Sequence, residues 1–342
     1  MKASNLTICN ETIHPGEDIS LALPLPELFS CAPMYMPIKV IHGKEAGPCL
    51  LLTAAMHGNE INGTAIINKL LEVPAIKRLK GTVIAVPILN VYAFINKART
   101  MPGGVMLNQS FPGSEHGTYA SRTAYLFNQE ILNLADYSID LQTGFVNHSN
   151  LPQIFINPDN EEQLALAEAF SAPVISSIKT DAGSLREAAD KRNIPHIVYE
   201  AGEALRFDEQ AIKTGVRGIL NVMQHLNMIT AKTKKLGSPS FQVKGTRWVR
   251  ASNSGMHHSK LKLGQEVKKG QKTSVIKDPF SAGEDRDVIA PFSGVVVSIN
   301  KLPLVREGET LFKIAVFEEM ELATTHFEDW QPNTTIPNHT AE

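Results

Sequence analysis

The chain has 342 residues, of which 43% are hydrophobic and 20% are charged, and its formal net charge is −2. This length predicts two globular domains, and the near-neutral charge provides no basic face for nucleic acid. The sequence has no apolar run of the roughly 18 residues that a membrane span needs, and it begins without an apolar signal segment. The predicted location is therefore the cytoplasm.

Predicted strands and helices alternate along the first two thirds of the chain. Apolar runs bounded by turn residues predict strands, and apolar residues at helical spacing predict helices. In chain order these are strands at 37–43 and 49–56, a helix at 60–71, a strand at 81–90, a helix at 123–135, a strand at 136–144, helices at 161–171 and 182–193, a strand at 194–203 and a helix at 208–229. This alternation predicts an α/β domain over residues 1–230, with a mixed, mostly parallel sheet flanked by helices.

The character of the sequence changes near residue 231. Residues 231–239 are basic and rich in turn residues, which predicts a linker. Residues 240–320 contain short β runs separated by Gly and acidic turns, which predict a small all-β barrel that is either structural or a lid over the pocket. Residues 321–342 are polar, contain two prolines and are predicted to be an exposed tail.

Polar side chains stand at the ends of four predicted strands. They are His57, Asn90, Gln142 and Glu200. Ligand sites in open α/β sheets lie at the carboxyl ends of the strands. A polar strand end explains any one of these residues by itself, but four together predict an active site at this edge.

The segment LLTAAMHGNEING, residues 51–63, contains the first candidate metal ligands. His57 and Glu60 are three residues apart across a strand-to-helix turn, so both side chains can face one ion. Zinc binds His nitrogen and carboxylate oxygen, with three protein ligands and one open position in catalytic sites. The spacing HxxE is a weak motif, and it leaves both a metal site and an ordinary polar turn open.

The extended segment LLTAAMHGNEINGTAII resembles the signature of the succinylglutamate desuccinylase/aspartoacylase family, which belongs to the zinc carboxypeptidase-like hydrolases. The segments PIKVIHGKEAGPCLLL, NVYAFINKART, LNQSFPGS, ADYSIDLQTG, LPQI and HIVYEAGE are similar to the family's segments in order and spacing. In the β-rich region, KLGQEVKKGQ, VIAPFSGVVV and REGETLFKI resemble the barrel of many members. The resemblance covers residues 20–320 and implies a zinc carboxypeptidase-like fold.

The resemblance also implies roles for individual residues. His57 and Glu60 match two zinc ligands, and Gln142 stands where the family has a third ligand, a His. Arg99 matches the Arg that polarises the scissile carbonyl and stabilises its oxyanion. Glu200 matches the general base that takes a proton from the attacking water.

The resemblance places Asn108 and Gln109 in the substrate-binding segment of the family, and Asn90 is a third candidate because it follows a predicted strand. Asn108 is retained in MLNQSFPG, but Gln109 replaces the Arg that binds the substrate carboxylate in the family. Because Gln carries no charge, this departure predicts a less acidic or neutral group at that end of the substrate. Asn90 is predicted either to orient Arg99 or line the pocket, or to cap a turn.

Substitutes for the missing groups are available in the sequence. A Gln oxygen is a poorer zinc ligand than imidazole, so the site is expected to bind metal weakly or to recruit His148 or His116. Both are more typical of surface positions. Arg186 can supply a cation, although a solvated helix face is its expected position.

Two functions remain open on the sequence. The first is a metal-dependent hydrolase that cleaves an amide or ester bond of a small N-acyl amino acid-like substrate, using one zinc ion, with manganese or iron nearly as suitable. The second is a catalytically impaired relative that binds a small molecule or a protein. The joint retention of a base, Glu200, and an oxyanion residue, Arg99, favours the hydrolase. A homo-oligomer is compatible with either function.

Overall fold

The computed structural model describes residues 2–28, 33–230, 239–280 and 283–328. Within these ranges, the strands before residue 231 are β1 (Leu6–Ile8), β2 (Glu11–Ile13), β3 (Asp18–Pro24), β4 (Tyr35–His42), β5 (Glu45–Ala54), β6 (Lys80–Val86), β7 (Tyr137–Gly144), β8 (His148–Ile156), β9 (Val174–Ser177) and β10 (His196–Glu203). The later strands are β11 (Phe241–Arg250), β12 (Gly255–Ser259), β13 (Glu266–Val267), β14 (Lys272–Lys277), β15 (Arg286–Ile289), β16 (Gly294–Asn300), β17 (Leu304–Val305) and β18 (Thr310–Phe317).

The described α-helices lie mostly between strands of the first 230 residues. They are α1 (Ile61–Leu71), α2 (Val91–Ile95), α3 (Tyr119–Glu130), α4 (Glu161–Phe170), α5 (Leu185–Asp190), α6 (Glu209–His225) and α7 (Met320–Glu328). Short 3₁₀ segments occur at Pro74–Arg78, Pro102–Gly104, Leu107–Gln109 and Leu132–Leu134.

The central strands are buried on both faces of the sheet. In β5, Leu50 and Leu52 pack into a core shared with α1, α4 and α6, whereas Leu51 packs into a second core shared with α3 and α5. Successive side chains of a strand point to opposite faces, so the apolar run LLL has to be covered on both sides. The sheet therefore forms a middle layer between two layers of helices.

The strand directions confirm the mixed α/β fold. Strands β6, β5, β7 and β10 are parallel neighbours, whereas β3 runs antiparallel to β4 and β4 antiparallel to β6. Strand β8 is antiparallel to β10 and parallel to β9. Strand β8, which inserts between β10 and β9, was not predicted. Pro152 and several polar residues interrupt its apolar pattern, so the residues of β8 carry no clear strand period.

Some helices and strands start or end at other residues than predicted, and polar side chains cap the helices at these positions. The strand predicted at 81–90 ends at Val86, because Asn90 starts α2 by accepting a hydrogen bond from the Ala93 N–H. The helix predicted at 123–135 starts earlier, at Tyr119, where the Thr118 side chain caps it. The helix predicted at 182–193 shortens to α5, which Ser184 caps.

The strands of residues 240–320 are connected to the large sheet. Strand β11 pairs with β9, and β16 pairs with β8, so one hydrogen-bonded ladder continues from the first 230 residues into the C-terminal strands. Strands β12, β14, β15 and β17 form a separate four-stranded sheet. The predicted domain boundaries stay a prediction. Residues 231–238 of the predicted linker lie outside the described residues.

The first part of the predicted exposed tail, 321–342, is helical and partly buried in the structure. Residues up to Glu328 belong to α7, which buries Ala323 and Phe327. The Phe327 ring lies 5.5 Å from the Phe317 ring and 5.9 Å from the Phe241 ring, centroid to centroid. This aromatic contact explains why the segment folds back despite its polar composition. Residues 329–342 lie outside the described residues.

Candidate active site

The carboxyl ends of β5, β7 and β10 bring the candidate residues to one edge of the sheet. Glu200 of β10 lies directly opposite Gln142 of β7, with their backbones in parallel register. The turn after β5 carries His57 and Glu60 into the same region. This turn needs glycine at position 58, because the backbone of Ala93 in α2 lies where a Cβ would be.

His57, Glu60 and Arg99 form a connected polar group. The Nδ1 atom of His57 lies 2.9 Å from Glu60 Oε1, and Arg99 Nη1 donates to the same oxygen at 3.1 Å. The Glu60 side chain is 1% exposed, and its other oxygen, Oε2, is buried with no hydrogen-bond partner among the described residues. A buried carboxylate oxygen in this state is costly, and it suits a site that gains a positive ligand.

Arg99 is held on a second side by an aromatic ring. Its guanidinium carbon lies 4.4 Å from the centroid of the Phe145 ring, a cation–π contact. Phe145 follows β7 directly and is 56% exposed. The contact with Phe145 and the ion pair with Glu60 together fix the orientation of the Arg99 side chain.

Gln142 is oriented by Asp140, two residues before it on the same face of β7. Its amide nitrogen donates to Asp140 Oδ2 at 2.6 Å, and Thr53 Oγ1 donates to Asp140 Oδ1, also at 2.6 Å. Burial raises the pKa of Asp140 to about 6, against the opposing effect of these two hydrogen bonds. Because the amide nitrogen is engaged, the amide oxygen is the atom of Gln142 that remains for another partner.

Glu200 is, after Asp140, the second carboxyl group at this edge whose pKa is raised. Burial and the nearby Glu60 charge raise its pKa to about 7, while Lys313, Asn150 and Arg99 act in the opposite direction. Asn150 Nδ2 donates to Glu200 Oε1 at 2.5 Å. A carboxylate with a pKa near neutrality can both accept and return a proton at physiological pH.

The three residues predicted to bind substrate have different environments. Asn90 is fully buried, and its amide caps α2 and donates to the Met56 carbonyl at 3.2 Å, which is the capping alternative left open by the sequence. Asn108 Oδ1 accepts a hydrogen bond from the Leu185 N–H at the start of α5. Gln109 is exposed. Their substrate-binding roles stay predictions.

The residues considered as substitutes lie in other settings. His148 Nε2 lies 3.1 Å from Thr310 Oγ1, and His116 is exposed. The expected solvated position of Arg186 is wrong, because its side chain is buried and donates to Asn157 Oδ1 at 2.7 Å and to the Ile178 carbonyl at 3.0 Å. Arg186 therefore lies on the inward face of α5, and its guanidinium is in contact with protein atoms rather than with solvent.

Sequence reasoning missed several residues near the site. Asn150 lies on the unpredicted strand β8, and Phe145 follows the DLQTG segment directly. Lys313 is the one charged residue of TLFKIAVF, the sequence of β18. A single charge in an otherwise apolar strand is a detectable signal, because such a side chain needs a partner.

The geometry defines a class of protein: a mixed α/β fold with a buried carboxyl of raised pKa, a fixed guanidinium and a His–Glu pair at the carboxyl edge of its sheet. The model of the succinylglutamate desuccinylase/aspartoacylase catalytic domain matches residues 46–226. The chain belongs to this family. Among the described residues, no helix is both long and apolar enough to cross a membrane.

Relatives of known structure or activity agree with this membership. The chain is 27% identical over 294 residues to an N-alpha-acetyl-L-2,4-diaminobutyric acid deacetylase of Halomonas elongata, covering 82% of this chain and 86% of that protein. A succinylglutamate desuccinylase from a Silicibacter species superimposes with a TM-score of 0.79 at 25% identity, covering 93% of this chain and 100% of that one. The product-bound ectoine utilization protein of Ruegeria pomeroyi superimposes with a TM-score of 0.78 at 24% identity, covering 88% and 96%. These superpositions establish the fold.

Proposed function

We propose that the chain is a metal-dependent deacylase that cleaves the amide bond of a small N-acyl amino acid. The observation that carries the proposal is the buried Glu60 carboxylate, whose Oε2 has no partner among the described residues while His57 Nδ1 lies beside Oε1. The family membership and the deacetylase relative support amide hydrolysis.

The residues at the edge fit a single zinc ion, although one ligand is unusual. His57 and Glu60 supply a nitrogen and a carboxylate oxygen, which are common zinc donors. No group of three His, Cys, Asp or Glu side chains converges on a metal position among the described residues. We assign the third donor to the amide oxygen of Gln142, which stands where the family resemblance implies the third ligand. An ion bound by these residues would lower the pKa of a water toward about 7 and polarise the scissile carbonyl. Manganese or iron would suit the same donors.

The protein residues then have distinct tasks. Glu200 takes a proton from the attacking water at a carboxylate oxygen and delivers it to the leaving amine as the C–N bond breaks. Its raised pKa suits both steps. Arg99, fixed by Glu60 and Phe145, donates hydrogen bonds to the oxyanion that forms on the carbonyl oxygen when water attacks the carbonyl carbon. The products are a free carboxylate and an amine.

A second candidate function rests on Gln142. If its amide oxygen binds metal too weakly, the same pocket acts as a binding site for a small molecule or a protein, without turnover. The amide-to-Asp140 hydrogen bond is compatible with this alternative, because it holds Gln142 in place without any ion.

The substitution Glu200→Gln tests the proposal. We expect it to lower kcat by about 10²–10⁴-fold, because the general base is lost while the fold and metal binding are kept. Turnover is measured on zinc-loaded protein with Nα-acetyl-L-2,4-diaminobutyrate, N-acetyl-L-aspartate and N-succinyl-L-glutamate, and bound metal is measured by elemental mass spectrometry.

Glu203→Gln is the matched control on the same strand. Glu203 pairs with Lys301 at 3.0 Å, so we expect this variant to retain the wild-type kcat. Equal activity of Glu200→Gln and wild type would contradict the proposed mechanism. Absence of hydrolysis for every substrate would favour the binding function.

A further inference from the structure

Lys313 is a half-buried cation that lacks a carboxylate partner. It lies in the middle of β18, and no carboxylate oxygen is within 4.0 Å of its ammonium nitrogen in the part of the chain that the structure describes. The nitrogen lies 5.6 Å from the centroid of the Trp248 ring. Burial lowers the pKa of Lys313. Partly buried ammonium groups usually form an ion pair with a carboxylate, so Lys313, unpaired among the described residues, is a candidate binding group for an anion.

The strand register places Lys313 on the same face as Glu200's hydrogen-bond partner. Asn150 of β8 lies opposite Ser298 of β16, and Ser298 lies opposite Lys313 of β18. Directly opposed residues of neighbouring strands point to the same face. Asn150 donates a hydrogen bond to Glu200. Lys313, Ser298 and Asn150 therefore form a row across neighbouring strands that ends at the proposed base.

Lys313 and Glu200 act on each other electrostatically. The Lys313 charge acts to lower the pKa of Glu200, and the Glu200 charge acts to raise the pKa of Lys313. Three strand spacings of about 4.8 Å separate β10 from β18 along the sheet through β8 and β16.

The other cations near this edge are already engaged. Arg99 is paired with Glu60, and Lys301 is paired with Glu203. Gln109, at the position implied to bind the substrate carboxylate, is uncharged and exposed. Lys313 differs from Arg99 and Lys301 in having no carboxylate oxygen within 4.0 Å of its ammonium nitrogen among the described residues.

We propose that Lys313 binds the carboxylate of the N-acyl amino acid, so that a C-terminal strand supplies the positive charge missing at Gln109. This proposal rests on the proposed deacylase function. It makes Lys313 a residue that selects free amino acid carboxylates over neutral carboxamides. Charge-assisted hydrogen bonds to a carboxylate are among the stronger polar contacts in proteins, which is sufficient for such selection.

The test compares Nα-acetyl-L-2,4-diaminobutyrate with its α-carboxamide on wild type, Lys313→Met and Lys313→Arg. We expect Lys313→Met to raise KM for the carboxylate substrate about 10- to 100-fold and to leave KM for the carboxamide unchanged. Lys313→Arg should restore part of the preference, since it keeps the charge. Binding of both compounds is also measured by calorimetry, which does not depend on turnover.

The controls separate this proposal from the proposed function. Lys269→Met, at an exposed position of the same C-terminal region, should behave as wild type. Lys313→Met changes kcat or its pH profile equally for the carboxylate and the carboxamide if Lys313 acts through Glu200. That result would overturn the proposal. It is also overturned if wild type binds both compounds equally well. Selective binding of the carboxylate without turnover would instead contradict the deacylase function and leave the role of Lys313 supported.

Discussion

At the proposed metal site, Gln142 is the residue whose replacement is expected to change metal affinity most. Its amide nitrogen already donates to Asp140, so a His in its place could donate a ring N–H to the same carboxylate and present its other nitrogen to an ion. We therefore expect Gln142→His to raise zinc affinity about tenfold or more, because imidazole is a better zinc donor than an amide oxygen. Competition with a chromogenic chelator measures the affinity.

Gln142→Leu is the matched variant that removes the donor. We expect it to bind zinc more weakly than wild type and to retain less metal after dialysis. An unchanged zinc affinity in Gln142→His would mean that residue 142 does not face the ion, and the assignment of the third ligand would have to be abandoned.

The longest described helix, α6, depends on a single side chain at its start. Asp208 Oδ1 accepts hydrogen bonds from the Gln210 and Ala211 N–H groups, each at 3.0 Å. The helix contributes Val216 and Ile219 to the core that lies on one face of the sheet. We expect Asp208→Ala to lower the free energy of unfolding by about 1 kcal/mol, as measured by urea denaturation.

Asp208→Asn provides the comparison at the same position. Asn caps helices about as well as Asp, so we expect this variant to lose much less stability than Asp208→Ala. Equal losses in the two variants would assign the stability to the negative charge of Asp208 near the helix N-terminus rather than to the cap.

At the scale of the whole molecule, the buried His196 makes the free energy of unfolding depend on pH. Burial, reinforced by the Arg186 charge, lowers the pKa of His196 to about 3, and its Nδ1 lies 3.0 Å from Ser138 Oγ. The unfolded chain binds this proton below pH ~6.5 and the native state only near pH 3. Stability should therefore fall as pH decreases through this window.

The substitution His196→Asn tests this contribution. We expect its unfolding free energy to depend less steeply on pH between 4 and 6, by at most about 1.4 kcal/mol per pH unit. His225→Asn, at an exposed position, should keep the wild-type slope. The interpretation fails if His196→Asn and wild type show the same slope in urea titrations at several pH values.

The sequence by itself determined the mixed α/β alternation and the polar residues near the carboxyl ends of β5, β7 and β10. These features are local, because strand and helix periods and turn residues lie within a few positions of each other. The approach of His57 to Glu60 is local in the same sense, since only three residues separate them. Helix starts were less accurate, because caps such as Thr118 and Ser184 act through single side chains.

Only the tertiary structure decided which distant residues become neighbours of Glu200. Asn150 reaches Glu200 because β8 lies antiparallel beside β10, and Lys313 comes to the same face as Asn150 because β16 pairs with both β8 and β18. Residues 150, 200 and 313 are far apart in the chain, and their proximity depends on the order of strands in the sheet. That order is set by packing of the whole molecule, because each strand can pair with many others on local propensity alone.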